Sequence, residues 1–75
     1  MKIRQTDIRE FRRITSELRA FMEDLRTRVP EANLYLAMDT LHLMSGPSHS
    51  WDGAKKHPER SVVSATIPTM GGGDW

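Results

Sequence analysis

Apolar residues recur at three- and four-residue steps through the first third of the chain: Ile8, Phe11, Ile14, Leu18, Phe21, Met22, Leu25 and Val29. With about 100° of rotation per residue they share one face of a helix. Asp7 followed three residues later by Glu10 makes a capping-box-like start. Pro30 drives Val29 away from helical geometry and supplies the stop. The pattern predicts one amphipathic helix over about residues 7–28.

The polar side of this segment is ordered as well. Arg12, Arg19 and Arg26 recur every seventh residue along one flank, and Glu10, Glu17 and Asp24 along the other. A coiled coil is the rival use of such a seam. The segment falls short of the three to four heptads usually wanted. With Phe11 at position a, the acids fall at g, while the e positions are Ile8, Thr15 and Met22, so the acids find no cation across a parallel pair. Packing of the helix on a sheet is the preferred expectation.

The period changes after Pro30. Leu34 and Leu36 alternate with Asn33, Tyr35 and Ala37, and Leu41 and Leu43 alternate with His42 and Met44. Period two predicts strands at about 33–37 and 41–44, joined by a turn at Met38-Asp39-Thr40. One face of this hairpin carries the four leucines and suits the helix seam. The other carries Tyr35 and His42 and is expected to stay open. The alternative is a second helix, because leucine, alanine and methionine all favour one. Ser45-Gly46-Pro47 ends the element and opens a polar stretch, 45–60, that lacks periodicity. Loops of that length are uncommon in small domains and are often functional. The β-branched, alternating run at 61–67 predicts a third strand, ended by Pro68. The tail, 68–75, contains Gly71-Gly72-Gly73 and reads as flexible. The expected architecture is a single α+β domain over 1–75, with the N-terminal amphipathic helix packed on a three-stranded antiparallel sheet.

Composition limits what such a domain can be. A 75-residue chain builds a core that supplies only about 3–5 kcal/mol unaided. It has no cysteine, so disulfides and thiolate metal sites are excluded. Self-association is the remaining common source of stability, and an open sheet invites it; a homo-oligomer is expected. There is neither a membrane-length apolar run nor the apolar stretch of a signal peptide behind Met1, and a cytoplasmic protein is expected. Charge is uneven. Residues 1–29 hold eight basic and five acidic side chains, and residues 30–75 hold three basic and five acidic. That bias is well short of a dedicated nucleic-acid binder.

No catalytic motif is present. The serines sit in no nucleophile-elbow pattern, and the triple glycine has no helix after it to cradle a phosphate. His42, His49 and His57 match no metal-ligand spacing. Neither a cofactor nor a metal is expected, and the reading is a binding protein. The segment Ser45-Gly46-Pro47-Ser48-His49-Ser50-Trp51-Asp52-Gly53 holds the best candidates. Ser48, His49 and the glycine amides suit an anion, and Trp51 suits stacking or insertion into a partner's pocket. Tyr35 and His42 on the open face and Trp75 at the tail complete the set. Capping of the small core by Trp51 is the competing reading. Arg12, Arg19 and Arg26 are the alternative site, for phosphates of a nucleic acid, against which stands ion pairing along the helix.

By Leu41-His42-Leu43-Met44-Ser45-Gly46-Pro47-Ser48-His49 and the ending Gly72-Gly73-Asp74-Trp75, the chain resembles small accessory proteins of phages and prophages. The resemblance implies binding and inhibition of a host component, including defence systems, by covering a protein surface or by sequestering a small anionic ligand such as a nucleotide. It assigns no residue a role. A nucleic-acid-binding accessory protein and a purely structural oligomeric component are the two alternative expectations.

Overall fold

The computed structural model describes residues 2–68; the expectations for the tail and for Trp75 lie outside the described residues. The elements are α1 (Gln5–Arg28), β1 (Asn33–Ala37), β2 (Thr40–Met44), a 3-10 turn (Pro58–Arg60) and β3 (Ser61–Thr66). The class is α+β, with one antiparallel sheet in the order β1-β2-β3. The hairpin reading of 33–44 holds, and its helical alternative does not.

α1 begins two residues earlier than the apolar pattern indicates, and Asp7 is not its N-cap. Arg4 caps the helix, and its backbone N–H donates to Asp7 Oδ2 at 2.9 Å from outside the first turn. The Arg4 guanidinium also donates to Asp7. That guanidinium, with the backbone N–H of Arg4 adding to it, holds the Asp7 carboxyl below the usual carboxylate range. A carboxylate in the first turn also complements the helix dipole. At the far end Val29 leaves helical geometry, as its position before Pro30 dictates. Arg26 reaches past it to donate two hydrogen bonds to the Pro30 carbonyl, at 3.0 and 2.8 Å. These bonds and Ala32 N–H to Val29 O make a braced corner between helix and sheet.

The hairpin turn is two residues long, Met38-Asp39, with Ala37 opposite Thr40. Met38 has φ of 58°, a left-handed conformation at the first central position where two-residue hairpins favour glycine. β3 then pairs along β2, with an irregularity at Leu43/Met44 that takes Val62 out of the ladder. Paired residues share a face. One face therefore carries the rows Leu34-Leu43-Val63 and Leu36-Leu41-Ala65. The other carries Tyr35-His42-Ser64 together with Ala37 and Met44.

The core lies on the second of these faces. Met44 and Ala37 are buried there, and Ala32 is buried just before β1. The four leucines of the opposite face are only half-buried, and Val63 beside them is exposed. The expectation that Tyr35 and His42 face an open side is corrected: segment 45–60 folds against that side. The expectation that the helix seam covers the sheet is corrected too. No residue of α1 is buried, and Phe11, Ile14, Leu18 and Phe21 remain 68%, 51%, 37% and 48% exposed. The radius of gyration, 14.4 Å, exceeds the roughly 11 Å of a tightly folded chain this long.

Candidate binding surface

Segment 45–60 is ordered by hydrogen bonds rather than by a core. Its base is fixed to the sheet. Ser45 N–H donates to the Arg60 carbonyl at 2.9 Å, and the Arg60 guanidinium donates to the Pro47 carbonyl at 2.8 Å. Asn33 Nδ2 donates to Gly46 O at 2.9 Å. Gly46 is buried here, and a Cβ on it would stand 3.3 Å from Arg60 Cδ. Above this base the chain forms a second, smaller hairpin. His57 N–H donates to Ser48 O at 2.7 Å, Ser50 N–H to Lys55 O at 2.8 Å, and His49 lies opposite Lys56.

The tip of this hairpin is the turn Ser50-Trp51-Asp52-Gly53, closed by Gly53 N–H to Ser50 O at 2.8 Å. Asp52 completes it with its side chain, as aspartate commonly does in turns. Asp52 Oδ1 accepts from the Ser50 hydroxyl at 2.5 Å and from Ala54 N–H at 3.0 Å. The Ser50 hydroxyl, and after it the Ala54 amide, hold the Asp52 carboxyl below the usual range. Lys55 N–H donates to Ser50 Oγ at 2.9 Å. Trp51 stands at the summit, 98% exposed. Capping of the core by this ring is thereby overturned.

His49 connects tip and sheet. Its ring lies 5.5 Å from the Tyr35 ring, tilted by 43°, within the range of favourable aromatic contact. Its Nδ1 shares a 3.0 Å hydrogen bond with Ser48 Oγ. His42, directly opposite Tyr35, shares a 2.7 Å hydrogen bond between its Nδ1 and Ser61 Oγ. The expected residues Ser48, His49, Tyr35 and His42 are thus brought together under the small hairpin, and Trp51 is carried outward from them. An open groove of about 420 Å³ runs along this side, with Pro47, His49, Trp51, His57 and Arg60 in its walls. His57 Nδ1 lies 2.8 Å from Glu59, whose carboxyl is held below its usual range chiefly by that hydrogen bond.

Part of the expected anion cradle is taken up within the segment itself. The amides of Gly53, Ala54 and Lys55 and the Ser50 hydroxyl are engaged inside the tip, and the carboxylate of Asp52 stands among them. Gly46 N–H was a further candidate amide, but its residue is buried at the base. Sequence reasoning missed Asn33, Ser61 and Arg60. Each acts on a residue 13 or more positions away, so no local pattern marks it. The Asp52-Gly53 pair was the available signal for the tip.

Of the expected stripe, Arg19 and Arg26 bond to neighbours, whereas Arg12 makes no ion pair among the described residues. Arg13 bridges Glu10 and Glu17, Arg19 pairs with Glu23 at 3.4 Å, and Arg28 with Asp24 at 2.9 Å. The Arg13 guanidinium holds the Glu10 carboxyl below its usual range. Among the described residues no group of three or more histidine or acidic side chains is placed to hold a metal ion, and no helix is long and apolar enough to cross a membrane. No known protein family, curated protein or solved structure matches the chain.

Proposed function

We propose that this is a non-enzymatic binding protein that covers a surface of a partner protein, with Trp51 as its anchor. In keeping with the resemblance to phage accessory proteins, the partner proposed is a host-cell component that the protein inhibits. One observation carries the reading: Trp51 is 98% exposed on a turn held by its own hydrogen bonds. A tryptophan left in water forgoes the largest apolar burial any side chain offers. Holding it on an ordered tip lowers the entropy cost of inserting it into a partner. The groove beside it, walled by Pro47, His49, His57 and Arg60, offers further contact surface next to the anchor. Sequestration of a small anion is the weaker reading, because the donors at the tip are already engaged. Phosphate binding along α1 is weaker because two of its three stripe arginines, Arg19 and Arg26, already bond to neighbours.

The test compares capture of proteins from the host by the full chain and by Trp51→Ala. Central tryptophans contribute at least about 2 kcal/mol to an interface, so Trp51→Ala is expected to weaken capture by roughly thirty-fold. Equal capture by the two proteins overturns the assignment.

A further inference from the structure

We infer that the outer edge of β3 joins the sheet to that of a second copy of this chain, with the two β3 strands antiparallel and centred on Ala65. The seam is formed by β3 alone and is independent of the role of Trp51.

β3 is an outer strand, and no strand lies beyond it among the described residues. Half of its backbone groups face outward. Ile67 N–H donates to Asp39 O, one step past the last ladder pair, Thr40 with Thr66. In an antiparallel ladder the bonded residues alternate along the strand. Val63, Ala65 and Ile67 therefore direct their N–H and C=O toward β2, and Ser64 and Thr66 direct theirs away from it. Val62 to Thr66 are exposed, whereas β1, the other edge, is half-buried or buried along its whole length. Folded proteins commonly blunt such an edge with lysine, proline or a bulge. The stretch 63–67 contains neither lysine nor proline, and the irregularity of the ladder falls before it, at Val62.

Outward groups spaced in this way are matched by another extended strand, and the side chains match that strand to a copy of β3. Val63-Ser64-Ala65-Thr66-Ile67 alternates apolar and hydroxyl residues and reads alike in both directions. A two-fold axis at Ala65 sets Val63 opposite the partner's Ile67, Ser64 opposite the partner's Thr66, and Ala65 opposite the partner's Ala65. Ser64 and Thr66 then exchange backbone hydrogen bonds across the axis, so every outward group of the stretch is used. Apolar meets apolar and hydroxyl meets hydroxyl, which are favourable cross-strand combinations. The central pair is a non-hydrogen-bonded one, where Cα atoms approach to about 4.5 Å, and alanine is small enough to face itself there. Like charges opposite one another would oppose self-pairing, but the chain has no charged residue between Arg60 and Asp74. Val63 and Ala65 lie on the leucine face, so the rows Leu34-Leu43-Val63 and Leu36-Leu41-Ala65 continue into their counterparts as one apolar face. The contact is isologous, the commonest form of self-association.

The test uses the full chain in analytical ultracentrifugation and then a cross-link. A concentration-dependent species of twice 8.6 kDa is expected. Ala65 is exposed, so Ala65→Lys leaves the sheet amides protected while setting two ammonium groups face to face at the axis; loss of the dimer is expected. The chain has no cysteine of its own, so a pair of single-cysteine variants reads the register. Ala65→Cys places the two thiols opposite each other, and mild oxidation links the copies. Val63→Cys places them several residues apart along the paired strands, beyond disulfide reach, and the copies stay unlinked. A monomer at every concentration into the millimolar range overturns the inference. A dimer that survives Ala65→Lys overturns it as well, as does one in which Ala65→Cys fails to link or Val63→Cys links as readily.

Discussion

α1 and the sheet with its small hairpin are held by different physics. In α1 the stabilising contacts are three or four residues apart: the Arg4–Asp7 capping pair, the Arg13 bridge to Glu10 and Glu17, and the Arg28–Asp24 pair. None of its side chains is buried. In residues 32–67 the contacts span long stretches of sequence: the strand ladder, Asn33 to Gly46, His42 to Ser61 and Arg60 to Pro47. The three buried apolar side chains among the described residues, Ala32, Ala37 and Met44, lie there. A helix can persist on local pairs, whereas a three-stranded sheet needs its side chains removed from water. The two regions should therefore respond to different perturbations.

The largest expected effect is from Met44→Ala. Met44 is fully buried, and truncation of such a side chain costs about 2–5 kcal/mol. Amide protection in β2 and β3 should collapse in hydrogen exchange, while the α1 amides keep the modest protection of a helix held by local pairs. Simultaneous collapse of α1 would show that the two regions fold as one unit. Met38→Gly should act in the opposite direction and on the sheet alone. Removing a side chain from a left-handed φ of 58° relieves roughly 1 kcal/mol, read as a higher denaturation midpoint for the strands. A fall in midpoint would mean that Met38 contributes contacts that outweigh its strain.

The smallest effect is from acid, and it touches both regions, at the start of α1 and in segment 45–60. Asp7, Asp52 and Glu59 are held below their ordinary range by hydrogen bonds that favour the carboxylate. Their contribution is therefore present above the ordinary carboxylate range and lost as pH falls below about 4. Far-ultraviolet circular dichroism should report fraying at the start of α1. Trp51 emission should shift as its turn loosens, with Trp51→Ala identifying its share. A start of α1 unchanged down to pH 2 would show that the Asp7 carboxylate is dispensable to the cap.

Much of this was legible along the chain. The 3.6-residue period of Ile8 to Leu25, the period of two in 33–44 and the β-branched run from Ser61 mark every major element, because each is a local preference written in neighbouring residues. Pro30 and Pro68 mark its limits. The candidate site was legible only as a set of residue types. Ser48, His49 and Trp51 drew attention as polar and aromatic groups in a long loop, but the loop's own hairpin depends on pairings such as His57 with Ser48, and its base on Asn33 and Arg60, which no periodicity announces.

The sequence by itself determined the elements, their order, the polarity of each face and the ordered acidic and basic flanks of α1. Those follow from side-chain chemistry at fixed spacing. Only the tertiary structure decided which faces are covered. It turned the Tyr35–His42 side inward under segment 45–60, left the leucine side half-buried and the α1 seam exposed, and raised Trp51 into water. Which apolar surface stays exposed follows from hydrogen bonds between distant residues, such as Asn33 to Gly46 and Arg60 to Pro47. Two surfaces equal in hydrophobic content are indistinguishable until the chain's geometry brings something against one of them.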